Sequence, residues 1–187
     1  MGESRTNLGE VADAFAEQAR TFLTTAVEVG SGATSGAVIP VLLLAVSDVV
    51  AAGARLGAMV DVVPPERFEP DAGDEADLGP LRESLALQFD SLDEYAEVVD
   101  PVLGAEVGRA AVSDDVATVA EALAKGLQHY DAGRRAEALW WWQFSYLSSW
   151  GERASGVARV LVMVLAHLRL DVDDDVAAEA EYDALQA

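Results

Sequence analysis

With 187 residues, just over half of them apolar, the chain suits one domain with a sizeable core, and global disorder is excluded. It has no cysteine, which rules out disulfides, thiolate catalysis, cysteine-based zinc sites and iron–sulfur clusters. Acidic residues number 33 against 12 basic ones, for a formal net charge of −21. Such a surface repels phosphate backbones and anionic lipid alike, and no basic stripe offsets it, so neither nucleic acid nor membrane is an expected partner.

The N-terminus carries Met1-Gly2 followed by Thr6, the short N-myristoylation pattern, but Glu3 beside the glycine argues against it. It also lacks the basic-then-apolar order of a signal peptide, so a cytoplasmic protein is expected. A single lysine, Lys125, among many arginines, with abundant Ala, Val and Gly, suggests a GC-rich bacterial genome.

The first helix is predicted from about Leu8 to Val29, with Asn7 as cap and Glu10 completing a capping-box-like arrangement. Leu8, Val11, Phe15, Ala19, Phe22, Ala26 and Val29 form its apolar face. Glu10, Asp13 and Glu17 lie on another face, read as solvated rather than metal-binding. Residues 36–47 are uncharged and strongly apolar but too short to span a bilayer, and extension to spanning length takes in Asp48 and Arg55, each costing about 3 kcal/mol at a helix centre. Ile39, Leu42, Leu43, Val46, Val49, Val50, Gly53 and Leu56 instead trace one stripe, which predicts a core helix with Asp48 and Arg55 on its polar edge.

Residues 64–80 hold four prolines, two glycines and six acidic residues, a surface-loop composition. Pro80 opens a third helix running to about Phe89, and a short helix from about Leu92 to Val99 is expected next, stopped by Asp100-Pro101. Ser113 is the expected cap of a fourth helix, with Asp114 and Asp115 against the positive end of its dipole. Val116, Val119, Ala120, Leu123, Leu127 and Tyr130 form its stripe, and Gly133 ends it. One long helix follows, from about Arg135 to Leu170. The expected fold is therefore all-α: one bundle of five to six helices over residues 1–170, with an acidic tail at 171–187 containing a short helix near Val176 to Leu185.

The run Gly126-Leu127-Gln128-His129-Tyr130-Asp131-Ala132-Gly133 leads into Glu137-Ala138-Leu139-Trp140-Trp141-Trp142, then Phe144-Ser145-Tyr146 and Trp150-Gly151. This resembles an uncharacterised, mainly actinobacterial family called domain of unknown function 5063, which pairs a glycine-ended helix with a Trp-x-Trp-x-Phe-Ser-Phe stretch and a later Trp-Gly. Tyr95, Val98, Asp100 and Pro101 resemble its upstream Tyr…Asp-Pro element. The resemblance implies a helical fold and no particular activity. Relatives often carry histidines around the Trp-Gly pair, whereas this chain has Ser149, Glu152 and Arg153 there, so it implies no histidine metal site. Independently, the spacing of Gly126, Tyr130, Gly133 and Glu137-Ala138-Leu139 is tetratricopeptide-like. A single unit reads as a helical hairpin rather than a repeat array.

On the long helix Leu139, Trp142, Tyr146 and Trp150 share one stripe, and Trp140, Phe144 and Leu147 the adjoining one; both are expected to be core. Trp141 shares its line with Glu137, Ser145, Ser148 and Glu152, an otherwise polar face. These five residues are the candidate interaction surface, Trp141 being an exposed anchor for a partner or a second subunit. His129 and His167 belong to no metal-binding spacing and are read as dipole-complementing residues near helix ends. Asp171, Asp173 and Asp175 imitate the start of a calcium loop, but Val176 and Tyr182 stand where its glycine and glutamate are needed. No catalytic, cofactor or metal residue is expected. The favoured function is non-catalytic association, with itself or another protein. The alternatives are a metal-dependent hydrolase using Glu94, Glu97, Asp114 and Asp115, or a small apolar ligand held within the bundle.

Overall fold

The computed structural model describes residues 8–170 except 35, 60, 66–72, 74, 75, 101 and 105. The Asn7 cap, the Pro101 stop, much of the 64–80 loop and the acidic tail with its short helix lie outside the described residues. The element order is α1 (Leu8–Gly30), α2 (Val38–Gly57), α3 (Gly79–Phe89), β1 (Glu94–Val98), β2 (Val107–Ala111), α4 (Val112–Asp131), α5 (Arg135–Ser145) and α6 (Gly151–Leu170). A π turn, Tyr146–Trp150, joins α5 to α6 without interrupting the helical path. The expected helix over Arg135 to Leu170 is thus one rod with a wide turn in its middle.

The α1 face forms as its spacing requires: Phe15, Ala19, Phe22, Ala26 and Val29 are buried, with Ala12 and Ala16 added and Leu8 left exposed at the first position. Helix α2 lies against α1 and α6. Its stripe Leu42, Val46, Val49, Gly53 and Leu56 is buried, Ile39, Leu43 and Val50 pack beside it, and Asp48 and Arg55 face outward. By length and composition alone α2 could cross a membrane, with a mean hydropathy of 1.8 in its most apolar window, of which 28% is buried. Glycine at 53 lets the rings of Tyr146 and Trp150 close onto its backbone.

Helices α4 and α5 form the anticipated hairpin, turning at Gly133 with φ 78°, a left-handed conformation that favours glycine. Gly126 lets them approach: a Cβ at that position would collide with the indole of Trp142. Trp142 is fully buried, its Nε1 donating to the Leu123 carbonyl at 3.2 Å. Phe15 packs against Trp142 and Trp150 at ring-centroid distances of 4.7 and 6.4 Å. Gln143, also buried, accepts from the Val62 amide (2.8 Å) and donates to the Leu56 carbonyl (2.9 Å), tying the end of α2 to α5.

Two local expectations are corrected. The helix expected at Leu92 to Val99 is instead a strand: β1 pairs antiparallel with β2, Glu94 opposite Ala111 and Val98 opposite Val107. Tyr95 and Glu97 point inward and Glu94, Ala96 and Val98 outward, a period of two that a five-residue run is too short to separate from helical spacing. Asp100 shapes the turn, its Oδ1 accepting from the amides of Val102 (2.8 Å) and Leu103 (3.0 Å). Ser113 does not cap α4. The helix begins one residue earlier, and Asp93, at the entry to the hairpin, accepts from the Ser113 amide (2.8 Å) and hydroxyl (2.7 Å). A carboxylate from outside the helix thus serves the free amide at its positive end.

Gly126→Leu should lower stability by about 2–3 kcal/mol, the cost of overpacking a filled core. The helix-propensity gain of about 1 kcal/mol over glycine does not offset that. A urea midpoint equal to wild type would contradict the close helix approach.

Candidate functional site

The described structure has two polar or aromatic features that bear on function: a charged cluster where the hairpin meets the helices, and the outer face of α5. Asp115, in the first turn of α4, is 1% exposed, too buried for a carboxylate without partners. It has two. Tyr95 on β1 donates its hydroxyl to Oδ2 at 2.5 Å, and Arg153 on α6 donates to Oδ1 at 2.6 Å. One carboxylate therefore joins β1, α4 and α6. Arg159, one and a half turns further along α6, donates to the Ala96 carbonyl at 3.2 Å. Glycine at 156 leaves room for the phenol, since a Cβ there would lie 2.9 Å from its oxygen.

Burial, reinforced by the Asp115 carboxylate, holds the Tyr95 phenol well above its ordinary range. Tyr95 is therefore a neutral donor, not a base. Glu97, inward-facing on the same strand, has its pKa raised first by desolvation and then by the carboxylates of Asp115 and Glu152, against the opposing pull of Arg153 and Arg159. The cluster is an internally paired clamp that fastens the hairpin to the helices.

The four carboxylates considered as metal ligands are dispersed by this arrangement. Glu94 faces Arg109 on β2 (3.4 Å), Asp114 pairs with Arg82 on α3 (2.7 Å), Asp115 is held by Tyr95 and Arg153, and Glu97 stands beside that pair. Among the described residues no three histidine or carboxylate side chains are grouped to hold a metal ion. On α1, Asp13 accepts from Tyr130 (2.6 Å) and pairs with Arg135 (2.9 Å), so one member of the presumed solvated face fastens α1 to the α4–α5 turn. His129 is fully buried rather than at the helix surface, whereas His167 is exposed near the end of α6.

The α5 face departs from helical-wheel expectation. Trp141 is half-buried, not freely exposed: its Nε1 donates to the Ala122 carbonyl at 2.8 Å, and the Lys125 ammonium lies 3.9 Å over its ring. Helix α4 covers one side of it. Glu137 and Ser145, expected beside it on a polar surface, are buried at 6% and 5% exposure. Ser145 is satisfied there, donating to the Trp141 carbonyl (2.6 Å) and accepting from Trp150 Nε1 (3.1 Å). Ser148 and Glu152 are exposed.

Conversely, Phe144 and Leu147, expected in the core, face solvent at 51% and 63% exposure, and Trp140 is only half-buried. The physical reason is that α4 lies on the Trp141–Ser145 side of the rod, which moves the outward face to Trp140, Phe144 and Leu147. Trp140 and Phe144 stack at 5.6 Å, with Trp141 6.2 and 6.4 Å from the two. Sequence reasoning found the aromatic group and misjudged which members face out. It missed the Asp115–Arg153 pair, whose members stand 38 positions apart on different helices.

The architecture and clamp define a class, an α-helical bundle with a two-stranded hairpin docked on it through a buried carboxylate. A solved structure shares this fold: protein BF1032 from Bacteroides fragilis, 14% identical, with a TM-score of 0.64 over 85% of this chain and 92% of that one. No curated protein matches. The family described as Domain of unknown function (DUF5063) matches residues 6–167, and the chain belongs to it.

Removing one partner of a buried pair leaves an uncompensated charge. Arg153→Ala should therefore cost about 2–3 kcal/mol, below the full range for a broken buried pair because the arginine is itself partly exposed. Hydrogen exchange should quicken first in β1 and β2; uniform quickening would contradict the clamp. For Glu97, the raised native pKa means the folded state holds the proton more tightly. Its contribution is complete below the ordinary value of 4.5 and is lost as pH rises through the folded value. Glu97→Gln should match wild type in urea melts near pH 4 and exceed it at pH 7; equal stability at both would refute the assigned desolvation.

Proposed function

We propose that the protein is non-catalytic and acts by self-association through the outer face of α5. One observation carries the reading: Trp140, Trp141 and Phe144 are in mutual ring contact, with Phe144 and neighbouring Leu147 more than half exposed. Aromatic side chains dominate the energetic centres of protein interfaces, and a contiguous exposed patch of them is uncommon on a strictly monomeric surface. Ser148 and Glu152 supply a polar rim on the Trp141 side. Glu137 and Ser145, also considered for this surface, act from below by supporting the helix.

For a second copy as the occupant, charge selects this face. Two chains each carrying −21 repel one another over most approaches, and contact costs least where carboxylates are few. Here Glu137 is withdrawn from solvent, and Lys125 adds a positive charge over Trp141. Hydrolysis assisted by a metal on Glu94, Glu97, Asp114 and Asp115 has less support, because these carboxylates engage different partners.

Salt screens like-charge repulsion while leaving apolar burial intact, so association should tighten as salt rises. Sedimentation equilibrium at several concentrations should show a dimer that strengthens at least several-fold between 0.05 and 0.5 M NaCl. Phe144→Asp should abolish it with an unchanged far-UV spectrum. A strict monomer at high salt and high protein concentration, or a Phe144→Asp variant that still dimerises, overturns the proposal.

A further inference from the structure

A second surface feature shares no residue with the α5 face. Helices α1 and α2 flank an open cleft of about 470 Å³, in the range of small-molecule sites. Its floor is apolar: Val11 and Phe15 from α1, Ala52 and Leu56 from α2, and Met59 just past the end of α2. Phe15, Ala52 and Leu56 are buried, so the floor is part of the core rather than a crease between loose side chains. Arg55 stands on the rim. Asp48 lies two turns earlier on α2, about 10 Å away along the helix axis, with Glu17 on the α1 side.

Arg55 differs from five of the eight other described arginines. Arg20, Arg82, Arg109, Arg135 and Arg153 each hold a carboxylate. Arg55 makes no ion pair among the described residues, in a chain where acidic groups outnumber basic ones 33 to 12. A guanidinium that forms no ion pair with any described residue, beside an apolar floor, is suited to receive an anionic group from outside. The negative rim at Asp48 and Glu17 sets the direction. It repels an anionic head from that end and leaves the stretch between Val11 and Met59 for an apolar tail.

We propose that the α1–α2 cleft binds an amphiphilic monocarboxylate, its head on Arg55 and its hydrocarbon chain over Phe15, Leu56 and Met59. The site is separate from the α5 face, and its occupancy does not depend on self-association. It also has a built-in reporter, because Phe15 contacts Trp142 and Trp150 from the opposite side.

The test uses the full chain and decanoate, below its micellar concentration, followed by calorimetry and tryptophan emission. Decanoate should bind saturably with one site per chain, and affinity should rise about fourfold per methylene from hexanoate to decanoate, as for buried CH₂ groups. Arg55→Gln should weaken decanoate about tenfold while leaving decanol unchanged, and Ala51→Phe, which fills the cleft from an exposed position, should abolish both at an unchanged melting temperature. No saturable binding overturns the site. Equal decanoate affinity in wild type and Arg55→Gln, or tighter binding of decyltrimethylammonium than of decanoate, overturns the head-group assignment.

Discussion

The close approach of α4 and α5 at Gly126 is the constraint on which the rest of the molecule depends. With no side chain at that position, the indole of Trp142 enters between the helices, donates to the Leu123 carbonyl and meets Phe15 of α1 on its far side. Three helices are thereby positioned by one ring. Trp150 extends the contact to the start of α6, and Gly53 lets α2 close over Trp150 and Tyr146. Large aromatic rings buried against glycines give dense packing with few alternative arrangements, which accounts for a single interior built with no disulfide.

The π turn at Tyr146–Trp150 follows from the same demand. With the wider turn in the rod, Trp142 and Trp150 both reach Phe15 while Arg153 reaches Asp115. The wider turn resets the phase. Ser145 stabilises it, receiving the Trp150 N–H while donating back to the Trp141 carbonyl. The buried polar groups of this molecule thus mostly serve geometry: Ser145 at the wide turn, Gln143 at the end of α2, and Asp115 where the hairpin meets the bundle.

Charge is distributed with the same economy. A carboxylate-rich chain has few cations to spend, and five of the ten described ones engage acidic groups of a separate element: Arg20 with Asp131, Arg82 with Asp114, Arg109 with Glu94, Arg135 with Asp13, Arg153 with Asp115. Such pairs contribute little where both partners are exposed and considerably more at Asp115, where the carboxylate has lost its water. Against that background, the carboxylate-poor face of α5 and Arg55, which forms no ion pair among the described residues, stand out as surfaces that the described fold does not use.

Helical periodicity by itself determined the all-α class, the presence and order of α1 through α4, the Gly126–Gly133 hairpin and the buried stripe of α2, because burying one apolar face of a rod is a local requirement that spacing records. Tertiary structure decided the rest. The stretch from Leu92 to Val99 became a strand because its partner lies across a turn, in β2, and five residues carry too little periodicity to show it. Which side of α5 faces solvent depended on where α4 settles, so Glu137 and Ser145 went inside and Phe144 and Leu147 outside. The Tyr95–Asp115–Arg153 clamp joins residues 20 and 38 positions apart, a proximity that spacing along one helix cannot encode and only the docking of three elements creates.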